Sequence, residues 1–385
     1  MNLRIPSLLR LVICPLVAVL VTSGQADPLF TISRLGNLGG STTMQPLAIN
    51  DSGLIVGVAN SSTQTSTQAF AYTGTFASLG TLGGTQSRGI GVNNAGTIVG
   101  WSYLPSSTNY VAFSYSGGSM TNLGTLGGPL SQANDINEAG VIVGTAGTGT
   151  TTHAFRYTGG SMTDLGTLMG PTGVSYANAI NESGVIAGRS NASMTSDHAV
   201  LWQNSTMTDL GTLSGAGGQS EAIGLNDLGW VVGNSTYTGG TLSNRHAFLY
   251  VDSIMSDLGS LGGNSFATDV NNAGQVVGYS FLANGTTLRP FFYDSSHGMV
   301  DLTTVVDFAS VGFNLAYGLG QIWDINEAGQ ISGWGITNSF TYEAFLLNPL
   351  NAPVPLNAVP EPGSFALAAG ACTLGLVFWR RRQRR

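Results

Sequence analysis

Residues 131–157 read SQANDINEAGVIVGTAGTGTTTHAFRY, and this stretch decides the fold. The apolar runs Val141-Ile142-Val143 and Ala154-Phe155 are too short for helices and are bounded by Gly, Asn and Thr, which is how strands are punctuated. Asn137 and Gly140 hold the first and fourth positions of a four-residue turn. There an Asn side chain bonds its own backbone two residues on, and Gly accepts positive φ. Asn-x-x-Gly is thus expected to join a strand from Ser131 to Ile136 to one from Val141 to Thr145. Gly144, four residues past the turn glycine, reads as a point where a neighbouring sheet comes close.

The same spacing recurs at Asn50-Gly53-Gly57, Asn93-Gly96-Gly100, Asn137-Gly140-Gly144, Asn181-Gly184-Gly188, Asn226-Gly229-Gly233, Asn271-Gly274-Gly278 and Asn326-Gly329-Gly333. Steps between the asparagines are 43, 44, 44, 45, 45 and 55, a period that suits one four-stranded blade better than a shorter solenoid coil. Each unit reads as four strands; in the third these are Ser119 to Leu126, the two above, and His153 to Tyr157. The ends of the array show how it closes. Phe30 to Gly40 supplies a first strand with no three strands before it, and the last unit stops at Pro349 with three strands and no fourth. Together they make one blade, a closure that leaves only short, protected edges. The expected fold is all-β: a seven-bladed β-propeller of about 44-residue four-stranded repeats over residues 27–349, closed by pairing the N-terminal strand with the last blade.

Composition narrows the function. The chain has 385 residues, 55 of them Gly, and only 9% charged side chains against roughly 25% in ordinary proteins. With 42% apolar residues it can bury a large core, which argues against disorder. From Asp27 to Ala358, six Arg face nineteen acids, a formal charge of −13 with no Lys. Nucleic acid is excluded as a partner, because phosphate neutralisation needs a basic stripe. Cys14 and Cys372 lie in the apolar ends, so the body has no disulfide framework, Cys-ligated zinc site or thiol nucleophile.

Both ends read as addresses. Residues 1–26 carry Arg4 and Arg10, an apolar run from Leu11 to Val21 and a small-residue exit, the pattern of a signal peptide cut by signal peptidase after Ala26. A linker, 350–358, leads to Val359-Pro360-Glu361-Pro362, a fifteen-residue apolar run from Phe365 to Trp379, and Arg380, Arg381, Arg382, Arg384 and Arg385. As a helix that run would rise about 22 Å against a hydrocarbon core of about 30 Å, marginal as a lasting membrane anchor. The Arg cluster would keep that end in the cytoplasm. Val-Pro-Glu-Pro, a short apolar helix and a terminal Arg cluster together resemble the PEP-CTERM sorting signal of Gram-negative bacteria. That resemblance implies recognition by an exosortase, cleavage near the motif and delivery to the cell surface or matrix, often in exopolysaccharide producers. A plain single-pass tail anchor is the other reading.

His153-Ala154-Phe155, His246-Ala247-Phe248, LGTLGG and INxxGxIVG resemble the HAF family of probable extracellular repeats over residues 32–347. Departures are Val200 for Phe, Arg289-Pro290-Phe291, Leu302-Thr303-Thr304-Val305 in place of LGTL, and about ten extra residues near Asp307 to Gly320. The family implies repeats and location, and no assigned reaction or cofactor. His153, His198 and His246 share one repeat position, but equivalent sites on adjacent blades lie too far apart for one zinc, so they read as structural. Asp135, Asp269 and Asp324 fall on the strand expected innermost and are candidates to line an acidic central channel, with a bound cation as the further option. No GxSxG, HExxH or phosphate loop occurs, and carboxylate pairs leave no local motif. The most variable stretches link the third and fourth strands of each unit and gather on one face; their Ser, Thr and Asn with Tyr103, Tyr110 and Tyr237 suit carbohydrate. The expected function is a non-catalytic binding or structural protein of the cell surface, directed towards exopolysaccharide. The alternative is a surface polysaccharide hydrolase or lyase using carboxylates near the channel.

Overall fold

The computed structural model describes residues 28–61, 66–237, 244–316 and 319–351. The expected signal peptide and sorting signal lie outside these residues. Among the described residues, strands form seven four-stranded antiparallel sheets arranged as blades around a central channel. The third blade runs from its inner strand Ser131–Ile136 through Ile142–Gly147 and Thr152–Thr158 to the outer strand Ser161–Asp164. The sequence unit and the blade are therefore offset by one strand: Ser119–Gly124 pairs with Tyr110–Ser116 of the blade before. In the closing blade the first strand, Phe30–Gly36, is outermost on Tyr342–Pro349, followed inward by Ile331–Ile336 and Asp324–Ile325. Arg34 Nε and Nη2 fork onto Glu343 at 2.5 and 2.7 Å across that seam, holding the Glu343 carboxyl below its usual range.

The Asn-x-x-Gly hairpins do more than turn the chain. Each Asn Oδ1 accepts the backbone N–H four residues on at 2.8–3.1 Å, and at Asn50 and Asn271 also the one two residues on. Its Nδ2 donates to the backbone carbonyl of the equivalent Asn in the next blade, at 2.9–3.2 Å. The series ends with Asn326 donating to Asn50, so seven buried amides form a closed ring. A second ring lies beside it. The backbone N–H groups of Asp51, Asn94, Glu138, Glu182, Asp227, Asn272 and Glu327 each donate to the side chain of the next member, at 2.5–3.1 Å.

Five of the blade junctions are tied at the top by serine. Ser131 Oγ accepts from Ala112 N at 2.8 Å and donates to the Gly124 carbonyl at 2.5 Å, joining one blade's inner strand to the preceding blade's two outer strands. Ser87, Ser175, Ser220 and Ser265 repeat this. A Cβ on Gly144 would run into the Gln132 carbonyl oxygen, so the close approach is to the inner strand of its own sheet and not to a neighbouring sheet. The ladder shifts register there, between Ala133 and Asp135, and Phe155 lies across from Gly144. The glycine makes room for a β-bulge that turns Asn134 towards the channel.

The extra residues before the seventh inner strand are partly helical, which the strand pattern does not anticipate. Asp301 caps a turn at Leu302–Val305 and Asp307 caps another at Phe308–Val311. Leu302, Val305, Val306, Phe308 and Phe313 pack with Phe345 and Leu347 into the core beside the closing blade.

Candidate functional site

Antiparallel blades sort their connections by face. The Asn turns lie at one end of the channel, and the links from second to third strand and from blade to blade lie at the other. At that second end a cavity of about 870 Å³ opens between Pro129-Leu130, the Thr145–Thr152 segment and the starts of several inner strands. A throat of about 370 Å³ continues it inward, the two sharing Ile90, Gln132, Asn134, Asn178, Ile223 and Trp323.

Two wall types face the mouth. Phe266 and Tyr279 stack at 5.0 Å, and Tyr279 meets Trp323 edge-on at 6.3 Å, which makes an aromatic wall across the sixth and seventh blades. The other wall carries Tyr176 and Glu221, backed by Arg189, whose guanidinium lies 4.1 Å from the centre of the Tyr176 ring and whose Nε lies 3.2 Å from Glu221. Arg189 also pairs with Asp197. Arg245 donates from Nη1 to Asn234 at 2.8 Å and from Nη2 to Gln219 at 2.5 Å. Aromatic faces set among amides and a fixed guanidinium can hold a polyhydroxylated ligand by stacking and by hydrogen bonds together.

Deeper, Asp135, Asp269 and Asp324 line the throat. Each accepts a backbone N–H of the next blade: Ile180 at 2.8 Å, Ile325 at 3.0 Å and Ile49 at 2.7 Å. Burial raises all three carboxyls above the usual range, Asp135 to about 7. Asp269 and Asp324 also act on each other: the neighbouring Asp324 carboxyl pushes Asp269 up further, while the contact with Asp269 draws Asp324 back down in part. No group of three His, Cys, Asp or Glu side chains with the geometry to hold a metal occurs among the described residues.

Tyr110 lines the mouth. Tyr103 ends the strand Ile98–Tyr103 directly opposite it, and both rings pack on Trp101, at 5.5 Å for Tyr103 and 5.1 Å for Tyr110. Tyr103 is not among the mouth or throat walls. Tyr237 also lies off those walls, stacked on His246 at 3.9 Å. The three repeat histidines pair through Nδ1 with outer-strand acids: His153 with Asp164, His198 with Asp209 and His246 with Asp257, at 2.7–2.9 Å. The residues that build the mouth come instead from the second position of the inner strands, after the tying serine: Gln132, Tyr176, Glu221 and Phe266. The signal for them is that this one position changes chemistry from blade to blade while its neighbours do not.

The fold and the address together define a seven-bladed propeller that carries a sorting tag. Residues 358–382 match the PEP-CTERM protein-sorting motif. That motif implies processing by an exosortase and a place at the cell surface or outside the cell. No curated protein matches the chain. Among solved structures, TolB from Acinetobacter baumannii is 14% identical, covering 55% of this chain and 52% of that one with a TM-score of 0.39. The chain thus spans about half the length of that TolB. A putative gluconolactonase is 9% identical over 84% of this chain and 94% of its own, with a TM-score of 0.38. A gluconolactonase from Xanthomonas campestris is 12% identical over 84% and 91%, with a TM-score of 0.35. Among the described residues no helix is long and apolar enough to cross a membrane; the expected apolar run from Phe365 to Trp379 lies outside them.

Proposed function

We propose that this protein is a non-catalytic, surface-delivered binder of exopolysaccharide that holds its ligand in the channel mouth opposite the Asn turns. The mouth itself carries the reading: about 870 Å³ of concave space with an aromatic wall on one side and amides with guanidinium on the other. Loops on a rigid scaffold are where binding sites usually sit. The resemblance to HAF repeats over residues 32–347 and the sorting motif both favour a role outside the cell. A second reading, a polysaccharide hydrolase or lyase, draws support from the carboxyl of Asp135, which is held near neutrality where a general acid would need it. Against that reading, both Asp135 oxygens already accept backbone N–H groups, those of Ile136 and Ile180.

The test presents the exported full-length protein to an array of bacterial exopolysaccharides and scores retention and release of reducing ends. Retention without release is expected. Tyr176→Ala and Trp323→Ala should each weaken it about tenfold, as the loss of one stacking face would, and Tyr237→Ala should leave it unchanged. Release of reducing ends would replace the binder with the enzyme.

A further inference from the structure

The body is strongly acidic, so each Arg has many carboxylates to choose from. Arg34, Arg189 and Arg289 all take one. Two others that face the funnel do not. Arg245, on the mouth wall, is held by the neutral amides of Asn234 and Gln219. Arg88, in the throat opposite Trp101, donates to the neutral amide of Gln45 at 3.4 Å. Neither has an ion-pair partner among the described residues.

A buried guanidinium with no counter-charge is costly unless something else supplies the charge. Arg88 is half-buried in the throat, and that burial lowers its pKa. The acids of the funnel are engaged elsewhere: Glu221 with Arg189, and Asp135, Asp269 and Asp324 with backbone N–H groups of the following blades. Amides orient a planar guanidinium without neutralising it, which leaves its remaining donors in the fork geometry that fits a carboxylate.

The geometry points to a carboxylate-bearing saccharide, a uronic-acid chain, as the ligand class of the mouth, with Arg245 receiving a carboxylate on the wall and Arg88 one at the chain end that enters the throat. This rests on the mouth being a saccharide site and adds the charge of the sugar. The aromatic wall of Phe266, Tyr279 and Trp323 stacks the sugar faces while the two guanidiniums read the acid groups.

Calorimetric titration of the full chain decides it, using oligomers of galacturonate, glucuronate and mannuronate, each beside its carboxyl-reduced neutral counterpart. At least one acidic oligomer should bind about tenfold or more tightly than its reduced form, with a preference that shrinks as salt rises. Arg88→Gln and Arg245→Gln should each remove most of that preference, and Arg88→Lys should restore part of it, with unfolding midpoints recorded for every variant. Equal binding of acidic and reduced oligomers would overturn the inference and leave the saccharide site standing. So would a preference that both Gln variants keep while folded. Binding of neither form, with the protein folded, would remove the saccharide site and the inference together.

Discussion

Asp135 shows how the channel sets the chemistry of single residues. Its Oδ1 accepts from Ile136 N and its Oδ2 from Ile180 N, both at 2.8 Å, and these bonds favour the ionised form. Burial outweighs them and lifts the carboxyl to about 7, with the charges of Asp324 and Glu182 adding to it. A carboxyl whose folded value lies above its unfolded one binds its proton more tightly in the folded protein, so folding is favoured when the group is protonated. That contribution is complete below the ordinary value of 3.8 and is lost as pH rises through about 7. Asp269 and Asp324 shift in the same direction. The melting temperature is therefore expected to fall across this interval, and Asp135→Asn, which cannot ionise, should show a shallower fall. The amide also gives up one acceptor, an offset of about 1–3 kcal/mol that moves the whole curve without changing its slope. Circular-dichroism melts over a pH series separate the two effects, and equal slopes in variant and parent would rule Asp135 out as the source. That these aspartates reach the channel was legible from their place on the expected inner strand. The aromatic wall was less so: Phe266 and Tyr279 are opposed partners within one hairpin, but Trp323 comes from the next blade, and only the ring arrangement brings it against Tyr279.

At the scale of the element, the hairpin turn is both a local and a long-range device. Asn137 satisfies Val141 N–H within its own turn at 3.0 Å and the Asn181 carbonyl of the next blade at 3.2 Å. Asn137→Ala leaves the buried Val141 N–H without a partner and takes one of two donors from the Asn181 carbonyl, which keeps Gly184 N–H at 3.0 Å, and should cost about 1–3 kcal/mol in urea unfolding. Asn137→Asp restores the acceptor for Val141 but sets a carboxylate against the Asn181 carbonyl, so it should recover none of the loss at neutral pH. A cost within about 0.5 kcal/mol for the Ala variant would show that the ring adds nothing to stability. The turn itself was readable because Asn and Gly have local physical reasons to stand there, and Gly140 takes φ +75° as such a turn requires. The cross-blade bond was not readable, since the sequence states the period but not which group of one repeat faces the next. The same limit explains Gly144. Its glycine was visible, but the atom it avoids, the Gln132 carbonyl oxygen, is set by a bulge in a strand twelve residues earlier. The helical turns at Leu302–Val305 and Phe308–Val311 had a signal in Asp301 and Asp307, each placed as an N-cap. Four-residue segments are too short to show a helical period.

For the whole molecule, closure fixes where the chain enters and leaves. Phe30–Gly36 starts and Tyr342–Pro349 ends at the Asn-turn face, and Leu350 N donates to the Leu29 carbonyl at 3.0 Å, so both ends leave the propeller side by side. The mouth lies at the opposite face. Val359 follows Asn351 by eight residue steps, a covalent reach of at most about 29 Å. A surface that held the sorting signal would therefore draw the turn face towards itself and leave the mouth pointing outwards. The absence of cysteine between Asp27 and Ala358 makes this directly measurable. Thr150→Cys sits exposed in the link beside the mouth, and Ala139→Cys sits exposed in the third Asn turn of the same blade. With a bulky, membrane-impermeant maleimide on intact cells, Thr150→Cys should react readily and Ala139→Cys slowly, and the two rates should converge once the protein is released from the cell. Equal rates on the cell would mean that the tail does not orient the propeller. Faster reaction at Ala139→Cys would mean that the mouth faces the cell, where it could not meet a polymer outside.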